Sequence, residues 1–92
     1  VGYKIRLTKH AMERMALRAI SLSELELALS GDPSYRDKTG AEIYVKKLKD
    51  YALIVIVHKI DDILKVITVY KARKVDKLIR NKLRKGLWEK LK

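Results

Sequence analysis

Polar and apolar residues alternate over Tyr3-Lys4-Ile5-Arg6-Leu7, which predicts a short opening strand, since successive strand side chains point to opposite faces. The period then changes. Thr8 is suited to cap a helix that runs to about Arg18, with Ala11, Met12, Met15, Ala16 and Ala19 on its apolar side. Ser21-Leu22-Ser23-Glu24 matches a capping box and opens a second short helix with Leu22, Leu25, Ala28 and Leu29 as its apolar face, ended by Gly31-Asp32-Pro33. Residues 34–40 carry turn formers and charge, and Ala41 to Leu48 alternates as a strand with Ile43 and Val45 inside. Tyr51 to His58 is apolar at both parities, which predicts a central strand buried on both faces. Ile60-Asp61-Asp62 reverses the chain into a strand from Ile63 to Tyr70, making a hairpin. After Lys71 the apolar positions Val75, Leu78, Ile79, Leu83, Leu87 and Leu91 fall at helical spacing, with Gly86 as a break or end.

The order strand, two helices, three strands, helix predicts an α+β fold whose helices cover one side of a mostly antiparallel sheet. Ninety-two residues suffice for one modest core, so residues 1–73 form the α+β body and residues 74–92 a basic amphipathic C-terminal helix of the same single domain.

Charge adds a partner class. The 22 Lys and Arg against 11 Asp and Glu leave a net charge of +11, which makes polyanions the natural partners: RNA first, with DNA as the alternative. Most of the excess lies between Lys71 and Lys92, where ten cations face only Asp76 and Glu89. Within it Lys71, Arg73, Lys74, Lys77, Arg80 and Arg84 are suited to track a phosphate backbone without reading bases. The same helix is equally consistent with lysines that snorkel from an apolar stripe docked on the sheet or on a second copy in a homodimer. Trp88 is suited to stack on a base or to pack in such an interface. The lack of Cys and Gln, with the abundance of Lys, Ile and Val, fits a thermophilic source.

Other classes are excluded by composition. With no Cys and two His residues far apart in sequence, thiolate chemistry and a metal centre are not expected, and no motif calls for a cofactor. The longest apolar run, Tyr51 to Val57, is far shorter than the roughly 20 residues of a membrane span. The expectation is a soluble, cytoplasmic protein with no membrane partner.

Candidate chemistry sits on the first helix. His10, Arg14 and Arg18 follow at successive i, i+4 steps and drift only about 40° per step, so they form one polar stripe. A titratable imidazole then stands about 6 Å from a guanidinium that can fork two N–H donors onto phosphate. Thr68 and Tyr70 share one face of the last strand and can approach the stripe if that face looks toward the helix. His58 reads as a strand-end histidine rather than a second catalytic group.

The string Thr8-Lys9-His10-Ala11, Arg14-Met15, Arg18 and Ile20-Ser21, with the apolar strand and the closing Val66-Ile67-Thr68-Val69-Tyr70, resembles the domain-of-unknown-function 4258 family. The resemblance spans about residues 5–73 and implies a compact fold similar to the RelE-like and BrnT-like ribonuclease toxins. It further implies an RNA-binding, toxin-type protein, with metal-independent RNA cleavage and a co-encoded acidic, antitoxin-like partner as expectations. Where many relatives have Gly this chain has Ala19, a difference that matters if the position needs φ > 0. The expected catalytic residues are His10, Arg14 and Tyr70, with Arg18, Thr68 and the basic residues from Lys71 onward binding nucleic acid. The competing functions are a non-catalytic nucleic-acid binder that uses the basic helix, and a protein-interaction module.

Overall fold

In the computed structural model, residues 4–91 are described. They form β1 (Lys4–Leu7), α1 (Lys9–Leu17), α2 (Leu22–Leu29), β2 (Tyr35–Asp37), β3 (Glu42–Lys47), β4 (Ala52–Ile60), β5 (Ile63–Ala72), α3 (Val75–Arg84) and β6 (Trp88–Lys90). Tyr3, expected to open the first strand, lies outside the described residues. The strands build one open, mixed sheet in the order β1-β5-β4-β3-β2-β6, with β1 parallel to β5 and every other pairing antiparallel.

The β4–β5 hairpin is the centre of this sheet. It pairs from Ala52 opposite Ala72 to Ile60 opposite Ile63, and Leu53, Ile54, Val55 and Val57 are wholly buried. The alternating side chains divide into two cores. Leu53, Val55, Val57, Val66 and Val69 meet Ala11 and Met15 of α1 and Leu25, Ala28 and Leu29 of α2. Ile43, Ala52, Ile54 and Ala72 face the other way and meet Val75 and Ile79 of α3 and Trp88. The sheet is therefore covered on both faces, not on one. An α3 stripe as apolar as Val75, Leu78, Ile79 and Leu83 has to be buried, and the face of β4 opposite α1 and α2 is the apolar surface left for it.

Three boundaries depart from expectation. α3 stops at Arg84, because Gly86 adopts φ +70° and turns the chain back, so Leu87 and Leu91 do not continue its stripe. The returning segment pairs as β6 with β2, where the sequence pattern predicts helix and turn respectively. Three residues are too few for an alternation to register in sequence. Trp88 is buried against Tyr35, with ring centroids 5.6 Å apart, so it is a core residue with no ring face free to stack on a base. On α1 the buried apolar side reduces to Ala11 and Met15, while Met12 is 52% exposed and Ala16 faces solvent.

Helix ends follow the predicted capping chemistry. Thr8 Oγ1 accepts from the Ala11 N–H at 3.1 Å, and Ser21 and Glu24 form a complete capping box. α1 ends in a turn where the Ile20 N–H donates to the Met15 carbonyl at 2.8 Å and Ala19 sits at φ +53°. That geometry favours glycine. Ala19→Gly is expected to raise stability by about 0.5–1 kcal/mol, the left-handed penalty of alanine less the added freedom of glycine in the unfolded chain, read as a higher urea midpoint at unchanged slope.

Glu24 also accepts a hydrogen bond from the Tyr51 hydroxyl, and that bond, with the Ser21 backbone N–H and the nearby Lys71, holds its carboxyl below the ordinary value of 4.5. A carboxylate favoured by folding contributes stability that is present above pH 4.5 and lost as pH falls through its lower folded value. The melting temperatures of the wild type and Glu24→Gln are thus expected to differ at pH 6 and to converge on acidification below pH 4.5.

Candidate functional site

α1 lies along β5 because β1 is short. β1 pairs with Ile63 to Val66 and ends at Leu7, so the edge of β5 beyond Val66 is left for the helix that follows. Thr8 makes the junction. Its backbone N–H donates to the Val66 carbonyl at 3.2 Å, and its Oγ1 donates to the Ile67 carbonyl at 3.1 Å. With Ala11 and Met15 buried, helical geometry turns the His10, Arg14 and Arg18 stripe along the flank of the helix.

The strand supplies the other wall. β5 contains a bulge: Val57 pairs with Val66 and Ile56 pairs with Thr68, so Ile67 is an extra residue. In a regular strand Val66, Thr68 and Tyr70 share one face. The extra residue instead leaves Val66 and Val69 in the α1/α2 core and turns Thr68 and Tyr70 to the opposite face with Ile56. His10, Arg14, Arg18, Thr68 and Tyr70 thereby line one solvent-open cleft of about 220 Å³ at the margin of the sheet. The five residues come together although the face carrying Thr68 and Tyr70 is not the one on which α1 packs.

Within the cleft the Arg14 Nε–H donates to His10 Nε2 at 3.4 Å, a long hydrogen bond that requires a bare nitrogen lone pair. His10 is exposed and Arg14 half-buried. Among the described residues neither Arg14 nor Arg18 pairs with a carboxylate, so both guanidinium groups are open to an external anion. Burial pushes the Tyr70 phenol above its ordinary value of 10.0, so across the neutral range it keeps its proton and acts as a donor. One base with a lone pair, two forked cations and one proton donor around an open space can hold a tetrahedral oxyanion and move protons on either side of it.

The remaining candidates lie elsewhere. Lys71 is on the α1/α2 face, its ammonium 4.6 Å from the centre of the Tyr51 ring, in a cluster with Glu24 that sequence reasoning did not assemble. Tyr51 and Lys71 are distant in sequence, and only the opening of the β4–β5 ladder sets them beside each other. Arg73 and Lys74 are exposed in the connection to α3. Lys77, Arg80 and Arg84 crest the outer face of α3 with Asn81, which accepts from the Arg84 guanidinium at 3.1 Å. Lys82 instead lies over the Trp88 ring at 5.7 Å. His58 is a half-buried strand residue opposite Lys65, away from the cleft. Among the described residues no group of three His, Asp or Glu side chains is placed to hold a metal, and no helix is long and apolar enough to cross a membrane.

A family profile, Domain of unknown function (DUF4258), matches residues 7–71, which is more than half of the chain. The chain belongs to the DUF4258 family. No curated protein and no solved structure matches it. The DUF4258 match begins just before Thr8 and ends just after Tyr70, so it contains both walls of the cleft and leaves out α3 and β6.

Proposed function

We propose that this DUF4258 domain is a RelE-like RNA-binding protein of the cytoplasm that cleaves its substrate without a metal ion. The observation that carries the reading is the convergence of His10, Arg14, Arg18, Thr68 and Tyr70 on one open cleft. Helices α1 and α2 packed on a mostly antiparallel sheet support the RelE-like part of it.

The chemistry follows from the groups present. A phosphate drawn into the cleft takes the N–H donors of Arg14 and Arg18, which withdraws Arg14 from His10 and frees the Nε2 lone pair. His10 accepts the ribose 2′-hydroxyl proton, and the 2′-oxygen bonds to phosphorus. The bond from phosphorus to the 5′-oxygen breaks, and that oxygen receives the Tyr70 proton. The products are a 2′,3′-cyclic phosphate and a 5′-hydroxyl. The 2′-hydroxyl is the nucleophile, so DNA binds without being cut. Thr68 offers a hydroxyl to a neighbouring phosphate or ribose oxygen.

The exposed crest of Lys77, Arg80 and Arg84 supports a second reading, non-catalytic binding of a nucleic-acid backbone by α3. The two readings separate experimentally. Purified protein is expected to cut single-stranded RNA in EDTA. His10→Ala and Tyr70→Phe are each expected to slow cutting by about 10²–10⁴-fold. For His10→Ala the melting temperature stays nearly unchanged, because His10 is exposed. RNA that stays intact with the wild-type protein overturns the cleavage reading and leaves binding alone. If binding engages about five phosphates, log K falls against log salt with a slope near −3.5 on single strands. Replacing Lys77, Arg80 and Arg84 by Ala is expected to flatten that slope by about 2, whereas an unchanged slope removes α3 from the interface.

A further inference from the structure

The cleft depends on a backbone irregularity, and one side chain outside the cleft grips it. In a regular strand consecutive carbonyls point to opposite edges, so a single neighbour cannot take two in a row. Val66 and Ile67 break that rule at the bulge, and both of their carbonyls are taken by Thr8, one by its N–H at 3.2 Å and one by its Oγ1 at 3.1 Å. The same Oγ1 accepts from the Ala11 N–H at 3.1 Å, so the hydroxyl donates to the strand and accepts from the helix at once. Two residues beyond Thr8 stands His10, and one residue beyond Ile67 stands Thr68, with Tyr70 following on the same face.

We propose that Thr8 is a positioning residue for this cleft: its hydroxyl locks the first turn of α1 onto the Ile67 bulge and so sets the distance between His10 and Arg14 on the helix and Thr68 and Tyr70 on the strand. This inference rests on the RNA-cleavage reading given above. The requirement is specific in chemistry. A side chain here must donate and accept through one atom close to the backbone, which serine also does. Alanine does neither. Aspartate is a strong helix cap and accepts from Ala11, but its ionised carboxylate has no proton to give to Ile67. Aspartate therefore separates the stability of the helix from the grip on the strand.

The test compares Thr8→Ser, Thr8→Asp and Thr8→Ala in the full chain, with steady-state cleavage of a single-stranded RNA and amide hydrogen exchange of the free protein. Because displacement of reacting groups by about 1 Å costs up to about a hundredfold in rate, T8A and T8D are expected to lower kcat by about ten- to a hundredfold at little change in KM. T8S is expected to stay near the wild type. In T8D, exchange protection is expected to fall over residues 67–70 while the global melting temperature holds. A T8D protein with wild-type kcat, or a T8S protein as slow as T8A, overturns the proposal. If the wild type itself does not cleave, the cleavage reading falls and hydrogen exchange decides the clamp by itself. Loss of protection over residues 67–70 in T8D and its retention in T8S supports the clamp, and unchanged protection in T8D refutes it.

Discussion

The antiparallel pairing of β4 with β5 is the constraint on which the rest of this molecule hangs. Each strand buries side chains on both faces, so a slip of one residue would carry every apolar group of β4 into the wrong core. β3 takes its register from β4 and β1 from β5, and the three helices divide between the two apolar faces that the hairpin presents. Two cores share one ladder, which is how so short a chain supports helices on both sides.

The cleft forms where that regularity is interrupted. A single extra residue, Ile67, lets Val66 and Val69 both serve the α1/α2 core and sends Thr68 and Tyr70 through to the other face. The interruption coincides with the end of β1, so the sheet edge, the bulge and the N-terminus of α1 meet at one point. The polar stripe of α1 then looks past the edge of β5 toward residues on the far face. Chemistry-bearing side chains thus gather at the margin of the sheet, and the backbone groups displaced by the bulge are satisfied by Thr8 rather than by a neighbouring strand.

Charge is distributed by the same architecture. Thr68 and Tyr70 share the sheet face on which α3 packs, so the strand wall of the cleft and the helix that carries Lys77, Arg80 and Arg84 lie on the same side of the sheet. The aromatic pair of Tyr35 and Trp88, with Lys82 above it, closes the core beneath the end of α3, while Lys77, Arg80 and Arg84 face solvent. The ion pairs of Arg36 with Glu89 and of Lys47 with Asp76 are exposed and contribute little to holding the fold.

Much of this was legible in the sequence, since helix caps, hairpin turns and side-chain period are local properties. Thr8, the Ser21 to Glu24 box, the doubly buried strand from Tyr51 and the His10, Arg14 and Arg18 stripe each follow from spacings within a few residues. The strands β2 and β6 were hidden because three-residue strands exist only through the neighbours that pair with them. The side of the sheet taken by α3 was hidden because an amphipathic helix records that it must be buried, not against what. The sequence by itself determined which side chains could carry chemistry and that two of them share a helix with a third. Tertiary structure alone decided that a strand bulge would turn Thr68 and Tyr70 to meet them. A one-residue change of register leaves no mark on local periodicity, and it is settled by which apolar residues of distant segments find each other in the core.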